Sequence, residues 1–390
     1  LSVKQNHIAA YVTNHGYGHV NRMVAVINEI DPEHQVTIRC DTELWPAFRE
    51  RLIREVHFGH FPSDLGVLSP PGQNSRTDWP GTFDRLQRRY GEILAAADQE
   101  IKWLQTSRTT VVYADSSLIP LRLADQAGIP AFLGANFTWV EIYADLLAAP
   151  EAASFSSAQR HQYEAIIADM QTASTRATLL KFWPFTEMSG IGAQSLDVGM
   201  VVNPGNDIRA ALVQELGLLP SDRLVYFYVG RYGVEDLHWD NLKVLPKDVV
   251  LIGFHPPGVP MPGRFFIVSP DRFSGADLLR SVDLAIVKAG YGAVVEAMSV
   301  GTPVIYPPRP GFAEFPALDH ALKSWEGGYP VSEVCFNHLD FKEIMVKAIA
   351  KRPAPPNISP DGARRVAHIL QTQSRSALYS PNRYTRYNRS

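Results

Sequence analysis

Cysteine is almost absent from this chain. The two in 390 residues, Cys40 and Cys335, stand far apart and in no ligand-like spacing. That argues against a disulfide framework or a cysteine-held zinc, and fits a reducing compartment. Charge of one sign is also lacking. A formal net charge of −3 gives no bulk attraction to nucleic acid or to an anionic membrane. No apolar run approaches the length of a membrane span. The opening LSVKQNHIAAYV lacks the apolar segment and small-residue cleavage site of a secretory signal. A cytoplasmic setting is therefore expected, and the sequon-like Asn136-Phe137-Thr138 is then incidental.

What the chain does have is apolar material, 45% of residues against 20% charged, enough for a sizeable core. Its length suits two domains. Short apolar, β-rich runs at 8–13, 36–40, 110–115, 131–134 and 178–182 alternate with helical patterns at about 19–30, 43–52, 81–106, 118–127 and 157–172. A second array repeats the design, with strands at 224–230, 249–254, 264–269, 283–288 and 303–307. Helical patterns follow at about 274–281, 292–299, 315–325 and 339–350. Runs without polar alternation, joined by helices, predict parallel strands buried on both faces. The expected fold class is α/β, with two doubly wound, Rossmann-like domains. The expected boundaries are 1–197 and 198–360, separated by SLDVGMVVNPGND (195–207). After the proline-rich break KRPAPPNISP, residues 361–390 should form a helix and tail, the helix packing back on the first domain. The basic tail SRSALYSPNRYTRYNRS reads as a loosely held terminus or as a contact for an anionic acceptor or a lipid surface.

Two strand-to-helix turns stand out. In VDLAIVKAGYGAVVEAMSVGTPVIYP (282–307), Gly290 and Gly292 flank Tyr291 and let the backbone approach a ligand closely. The helix that starts there aims free N–H groups and a positive dipole end at that ligand, which suits a pyrophosphate. Glu296, one turn further on, could grip two vicinal ribose hydroxyls or merely complement the helix dipole. The other turn, VTNHGYGHVNR (12–22), places His15 and His19 around Gly16-Tyr17-Gly18.

The first of these stretches resembles the donor-binding helix of GT-B glycosyltransferases, and Glu296-Ala297-Met298-Ser299-Val300-Gly301-Thr302-Pro303 matches the family's EA(L/M)xxGxP residue by residue. The resemblance implies a glycine-rich turn on the diphosphate of a sugar nucleotide, and Glu296 on the ribose. Lys288 stands where plant-type UDP-glycosyltransferases usually have His, and would sit beside the phosphates. In PGFAEFPAL (310–318), Glu314 is the candidate for the donor sugar or simply an acid at a helix start. Gly230 and Arg231, with Gly233, in FYVGRYG would face the diphosphate across the cleft, and Phe273 would lie near the base.

HGYGHVNRMVAV resembles the glycine-histidine turn that opens the N-terminal domain of the same fold, and also the glycosyltransferase-like N-terminal region of L-arabinokinases. Gly18 would then face the sugar nucleotide. His19 takes the position of the catalytic base, oriented by Asp115 at the end of VVYAD, with His15 as its rival. A helix N-terminus disfavours the imidazolium and keeps such a ring able to accept a proton. Arg22 could bind a phosphate or pair with an acid.

The loop 58–82, which holds Asp64, Arg76, Asp78 and Trp79, is the expected acceptor region. Phe137 and Trp139 form an apolar wall there or pack between the domains. The resemblance implies metal-independent transfer, with inversion, from a UDP- or TDP-type nucleotide sugar. No cofactor is expected beyond that donor. The acceptor would be a small molecule, a glycan or a lipid-linked molecule, and contact with a membrane surface is compatible with the tail. Alternatives are a nucleotide-sugar hydrolase of the same fold and a sugar-nucleotide-binding module without catalysis.

Overall fold

The structure is a computed structural model that describes residues 5–64, 66–70, 77–228, 237–254, 264–309 and 312–372. The first half is a seven-stranded sheet made of β1 (His7–Val12), β2 (Gln35–Cys40), β3 (His57–His60), β4 (Val111–Asp115), β5 (Ala131–Ala135), β6 (Thr178–Phe182) and β7 (Gln194–Gly199). Its order is β3-β2-β1-β4-β5-β6-β7. The second half is a six-stranded sheet made of β8 (Arg223–Tyr228), β9 (Val249–Gly253), β10 (Phe265–Ile267), β11 (Leu284–Val287), β12 (Val304–Tyr306) and β13 (Gly328–Pro330). Its order is β10-β9-β8-β11-β12-β13. Every strand pair in both sheets is parallel.

Period-two side-chain alternation explains how one strand serves two cores. In β1, Ile8, Ala10 and Val12 face a core that runs on into the second half. Ala9 and Tyr11 face a separate core beneath the helices Trp79–Thr106 and Ser157–Ser174. The shared core holds Val198, Met200, Val201 and Val202 beside Tyr291 and Val295, so apolar packing joins the two halves. Three strands escaped the sequence reading: β3, β7 and β13. All lie at sheet edges, where a strand carries fewer apolar residues.

The segment 195–207 is therefore only partly a connection, since its first residues complete β7. The chain crosses between the halves there and again near residue 359. The two crossings run side by side: the Met200 N–H donates to Ser359 O at 2.9 Å, and the Gly362 N–H to Met200 O at 2.9 Å. The helix Gly362–Thr372 then lies against β7 and the helix Tyr17–Asn28. The Asn6 side chain ties its end down by donating to Gln371 O at 2.6 Å.

Each sheet has one place where chain order reverses, between β1 and β4 in the first and between β8 and β11 in the second. In open parallel sheets the crevice at that point collects ligands. The two glycine turns follow β1 and β11.

Candidate active site

At the first crevice the register pairs Val12 with Asp115, so the end of β4 lies beside the turn after β1. Gly16, at φ 72°, precedes the helix Tyr17–Asn28, which has no side-chain cap. His19 and Arg22, one helical turn apart, both reach Asp115. The His19 Nδ1–Asp115 Oδ1 distance is 2.8 Å, and the pair is buried, at 7% and 0% exposure. A proton on Nδ1 makes that hydrogen bond and leaves the Nε2 lone pair unused.

Arg22 donates through Nε to Asp115 Oδ2 at 2.7 Å and through a terminal nitrogen to Oδ1 at 2.6 Å. It also reaches Asn136 Oδ1 at 2.6 Å and Ser116 Oγ at 3.1 Å. Its guanidinium lies 5.0 Å from the Phe182 ring centre and 5.2 Å from that of Tyr291. Burial pushes the Asp115 carboxyl up, but the Arg22 charge and hydrogen bonds, with those of His19, outweigh it and hold the group below its usual range. Of the two roles open to Arg22, the structure shows the ion pair. That pair has a chemical consequence, because much of the Asp115 charge is already neutralised before any imidazolium forms.

His15 is half-buried. Its ring meets Trp139 edge-on at 4.9 Å and stacks near Phe312 at 6.2 Å. Burial, then the neighbouring His19, Lys288 and Arg309, push it down to about 3, so it is neutral at pH 7. Phe137 and Trp139 are buried and lie 5.8 and 6.1 Å from His19. They wall the dyad. In the expected acceptor loop, Asp78 caps the helix Trp79–Thr106 by accepting the Gly81 N–H at 3.0 Å, and Trp79 Nε1 donates to Leu146 O at 3.0 Å. Both have structural work. Asp64 is buried and pushed up to about 7 by that burial, against partial relief from the Thr13 and Ser117 hydroxyls. Arg76 lies outside the described residues.

At the second crevice β11 ends at Val287 and the helix Tyr291–Val300 begins at Gly290 without a side-chain cap. A Cβ placed on Gly290 or Gly292 would meet nothing within 4 Å, and the same holds for Gly16 and Gly18. Among the described residues no neighbour crowds a side chain at these positions. At the far end of the helix Gly301, at φ 74°, takes the left-handed C-cap. This is the backbone reason for the glycine in EAMSVGTP.

Lys288 is half-buried and lowered to about 8, first by burial and then by Arg309, with Glu314 pulling the other way. Arg309 was missed in the sequence. It follows β12, donates to Ala289 O at 2.8 Å and to Glu314 Oε1 at 3.1 Å, and stacks 4.0 Å from the Phe312 ring centre. Its position just past a strand end in a glycine-bearing loop was the available signal. Burial raises Glu296 to about 8, opposed by a hydrogen bond from the Asn203 N–H and aided by Asp277.

Three residues expected at the donor site are engaged within the protein. Tyr291 is buried under Arg22, and its hydroxyl accepts the Val201 N–H at 3.1 Å, so only its backbone faces the turn. Phe273 is 5% exposed in the apolar core and presents no face to a base, because its apolar area is worth more inside. Glu314 is buried, with Oε2 accepting from Asn136 Nδ2 at 3.0 Å and Oε1 held by Arg309. Its carboxylate thus closes a chain from Arg309 through Asn136 and Arg22 to Asp115 and His19, crossing from one half to the other. Gly230, Arg231 and Gly233 lie outside the described residues. Among the described residues no group of three or more His, Cys, Asp or Glu could hold a metal ion, and no helix is long and apolar enough to cross a membrane.

Two parallel, doubly wound sheets with facing strand-end turns make the GT-B fold. Solved structures of that fold match along almost the whole chain. The glycotransferase of kitacinnamycin has a TM-score of 0.62 at 16% identity, covering 96% of this chain and 98% of that one. A UDP-glucosyltransferase from Polygonum tinctorium gives 0.61 at 14%, covering 98% and 96%. The spinosyn rhamnosyltransferase SpnG complexed with thymidine diphosphate gives 0.60 at 17%, covering 95% and 98%. Among curated proteins, L-arabinokinase of Arabidopsis thaliana is 24% identical over 384 residues, covering 95% of this chain. The chain spans 35% of the length of that relative. No family model matches.

Proposed function

We propose that the protein transfers a sugar, with inversion, from a nucleoside diphosphate sugar of UDP or TDP type to an acceptor hydroxyl. The observation that carries this reading is the pairing of two uncapped helix starts, one bearing the buried His19–Asp115 dyad and the other bearing open glycines beside Lys288 and Arg309. His19 Nε2 takes the acceptor proton as the acceptor oxygen bonds to the anomeric carbon. The bond from that carbon to the diphosphate breaks, and its electron pair leaves with the phosphate. The helix start at Gly290 and the cations Lys288 and Arg309 face that developing charge. Glu296 takes the ribose hydroxyls. Relatives of the same fold support the donor class, since one is named a UDP-glucosyltransferase and another was solved with thymidine diphosphate.

One observation favours a second reading, a module that binds sugar nucleotides without transfer: Arg22 neutralises the carboxylate that would support an imidazolium. Calorimetry with UDP and TDP tests the shared part. Glu296→Ala should weaken binding tenfold or more, about 1.4 kcal/mol, and unchanged affinity in a folded variant would remove the donor assignment. Turnover of UDP- and TDP-sugars, with and without an added acceptor, then separates transfer, hydrolysis and binding alone.

A further inference from the structure

The first half carries a polar hollow that the dyad does not use. It encloses about 200 Å³ and is lined by Asn14, Asp41, Glu43, Arg85, Arg88 and Arg89, among others. Asn14 follows β1 and Asp41 follows β2, so the hollow opens at the strand ends where α/β sheets bind ligands. Asn14 also adjoins the turn that carries His15 and His19.

The charges inside are unequally served. Arg89 donates to both oxygens of Asp41, at 2.7 and 2.6 Å, and to Glu92 at 2.6 Å. Asn14 Nδ2 donates to Asp41 at 3.1 Å and also to Glu43. These bonds fix Asp41 and orient Glu43. Among the described residues Arg88 meets only Glu92, at 3.9 Å on an exposed surface. Among the described residues Arg85 has no ion pair, and it lines the hollow, so an anion bound there would meet a guanidinium with no competing carboxylate. Arg85 and Arg88 stand three apart on the helix Trp79–Thr106 and so lie on one face. Glu43 and Asn14 also line the hollow, with lone pairs suited to hydroxyl groups.

We propose that this hollow is the acceptor site and that the acceptor is an anionic polyol, its phosphate or carboxylate on Arg85 and Arg88 and its hydroxyls on Glu43 and Asn14. The inference rests on the transfer reading above and narrows its substrate class. The lining residues named are all polar, so a flat apolar aglycone finds no matching surface there.

The test is calorimetric titration of the full chain with glucose 6-phosphate, glucuronate, glucose and 4-nitrophenol at fixed ionic strength. At least one of the two anions should bind ten or more times tighter than glucose, and which of them does so identifies the anionic group. Arg85→Gln should abolish that preference. Arg85→Lys, which keeps the charge, should retain part of it, and Lys288→Gln, at the donor turn, should keep it whole. UDP affinity should be the same in Arg85→Gln as in the parent protein. Equal binding of glucose and both anions, or tighter binding of 4-nitrophenol, overturns the inference while normal UDP binding leaves the transfer reading standing. A preference that survives Arg85→Gln but falls in Lys288→Gln moves the anion to the donor turn and also overturns it. Absent UDP binding with the Arg85 effect intact would fault the transfer reading instead.

Discussion

The two strand-to-helix turns take the same place in their sheets and have opposite side-chain economies. Each follows a strand at the point where its sheet reverses order, each starts a helix with no side-chain cap, and each is bordered by glycines whose Cβ positions no described residue crowds, although Gly16 has φ 72° and Gly290 φ −115°. At the first turn the polar side chains are buried and mutually satisfied: His19, Arg22, Asp115 and Asn136 bond to one another. At the second, burial shifts Lys288 down and Glu296 up, each to about 8. The common placement makes a positive helix end available in both halves. The side chains decide whether that end is set against a buried His–Asp pair or beside two cations.

Removing the dyad should break the comparison most sharply. His19→Ala should lower kcat by roughly 10²–10⁴, the range for a lost general base, while UDP or TDP affinity stays within twofold because the second turn is untouched. Steady-state rates with calorimetry on the same variant check both halves of the statement. Near-normal turnover in His19→Ala with loss in His15→Ala would transfer the role to the other histidine.

The next effect is on stability. Arg22→Met leaves Asp115 buried without its cation, which for a buried pair costs about 3–5 kcal/mol. Urea unfolding should show it as a lower midpoint. Arg22→Lys should lose less, keeping the charge but not the two-pronged bond. A variant as stable as the parent would mean that the network at the first turn contributes little.

The last effect is confined to a pH window and concerns the second turn. Glu296 has a native value of about 8 against an ordinary 4.5, so the native state holds a proton that the unfolded chain releases. The associated stability is fully present below pH 4.5 and is lost as pH rises toward 8. Glu296→Gln, which mimics the protonated acid, should flatten the fall in urea midpoint between pH 5 and pH 8. An unchanged slope would place the origin of any such dependence elsewhere.

Much of this arrangement was legible in the chain. The apolar runs that became β1, β4, β8, β9 and β11 are central and buried on both faces, so their composition carries the signal. β7, QSLDVG, is an edge strand with a single buried residue, and composition cannot reveal it. The helix Trp139–Ala148 was also overlooked, although Thr138 and Glu141 form a capping box whose spacing was there to be read. The structure brings His19 and Asp115 into contact at 2.8 Å, a pairing that the family resemblance had implied and that periodicity alone could not. Phe273 and Tyr291 were taken for ligand contacts because aromatic residues near a loop serve equally well in a core.

The sequence by itself determined two parallel βα arrays, two glycine turns at strand ends, and the residue types gathered there, since periodicity and turn chemistry act over a few residues. Only the tertiary structure decided the partners. Arg22 meets Asp115 across 93 residues of chain, and Asn136 meets Glu314 across 178. Those pairings follow from strand order and from the burial that makes an unpaired charge costly, and both emerge only when the sheets assemble.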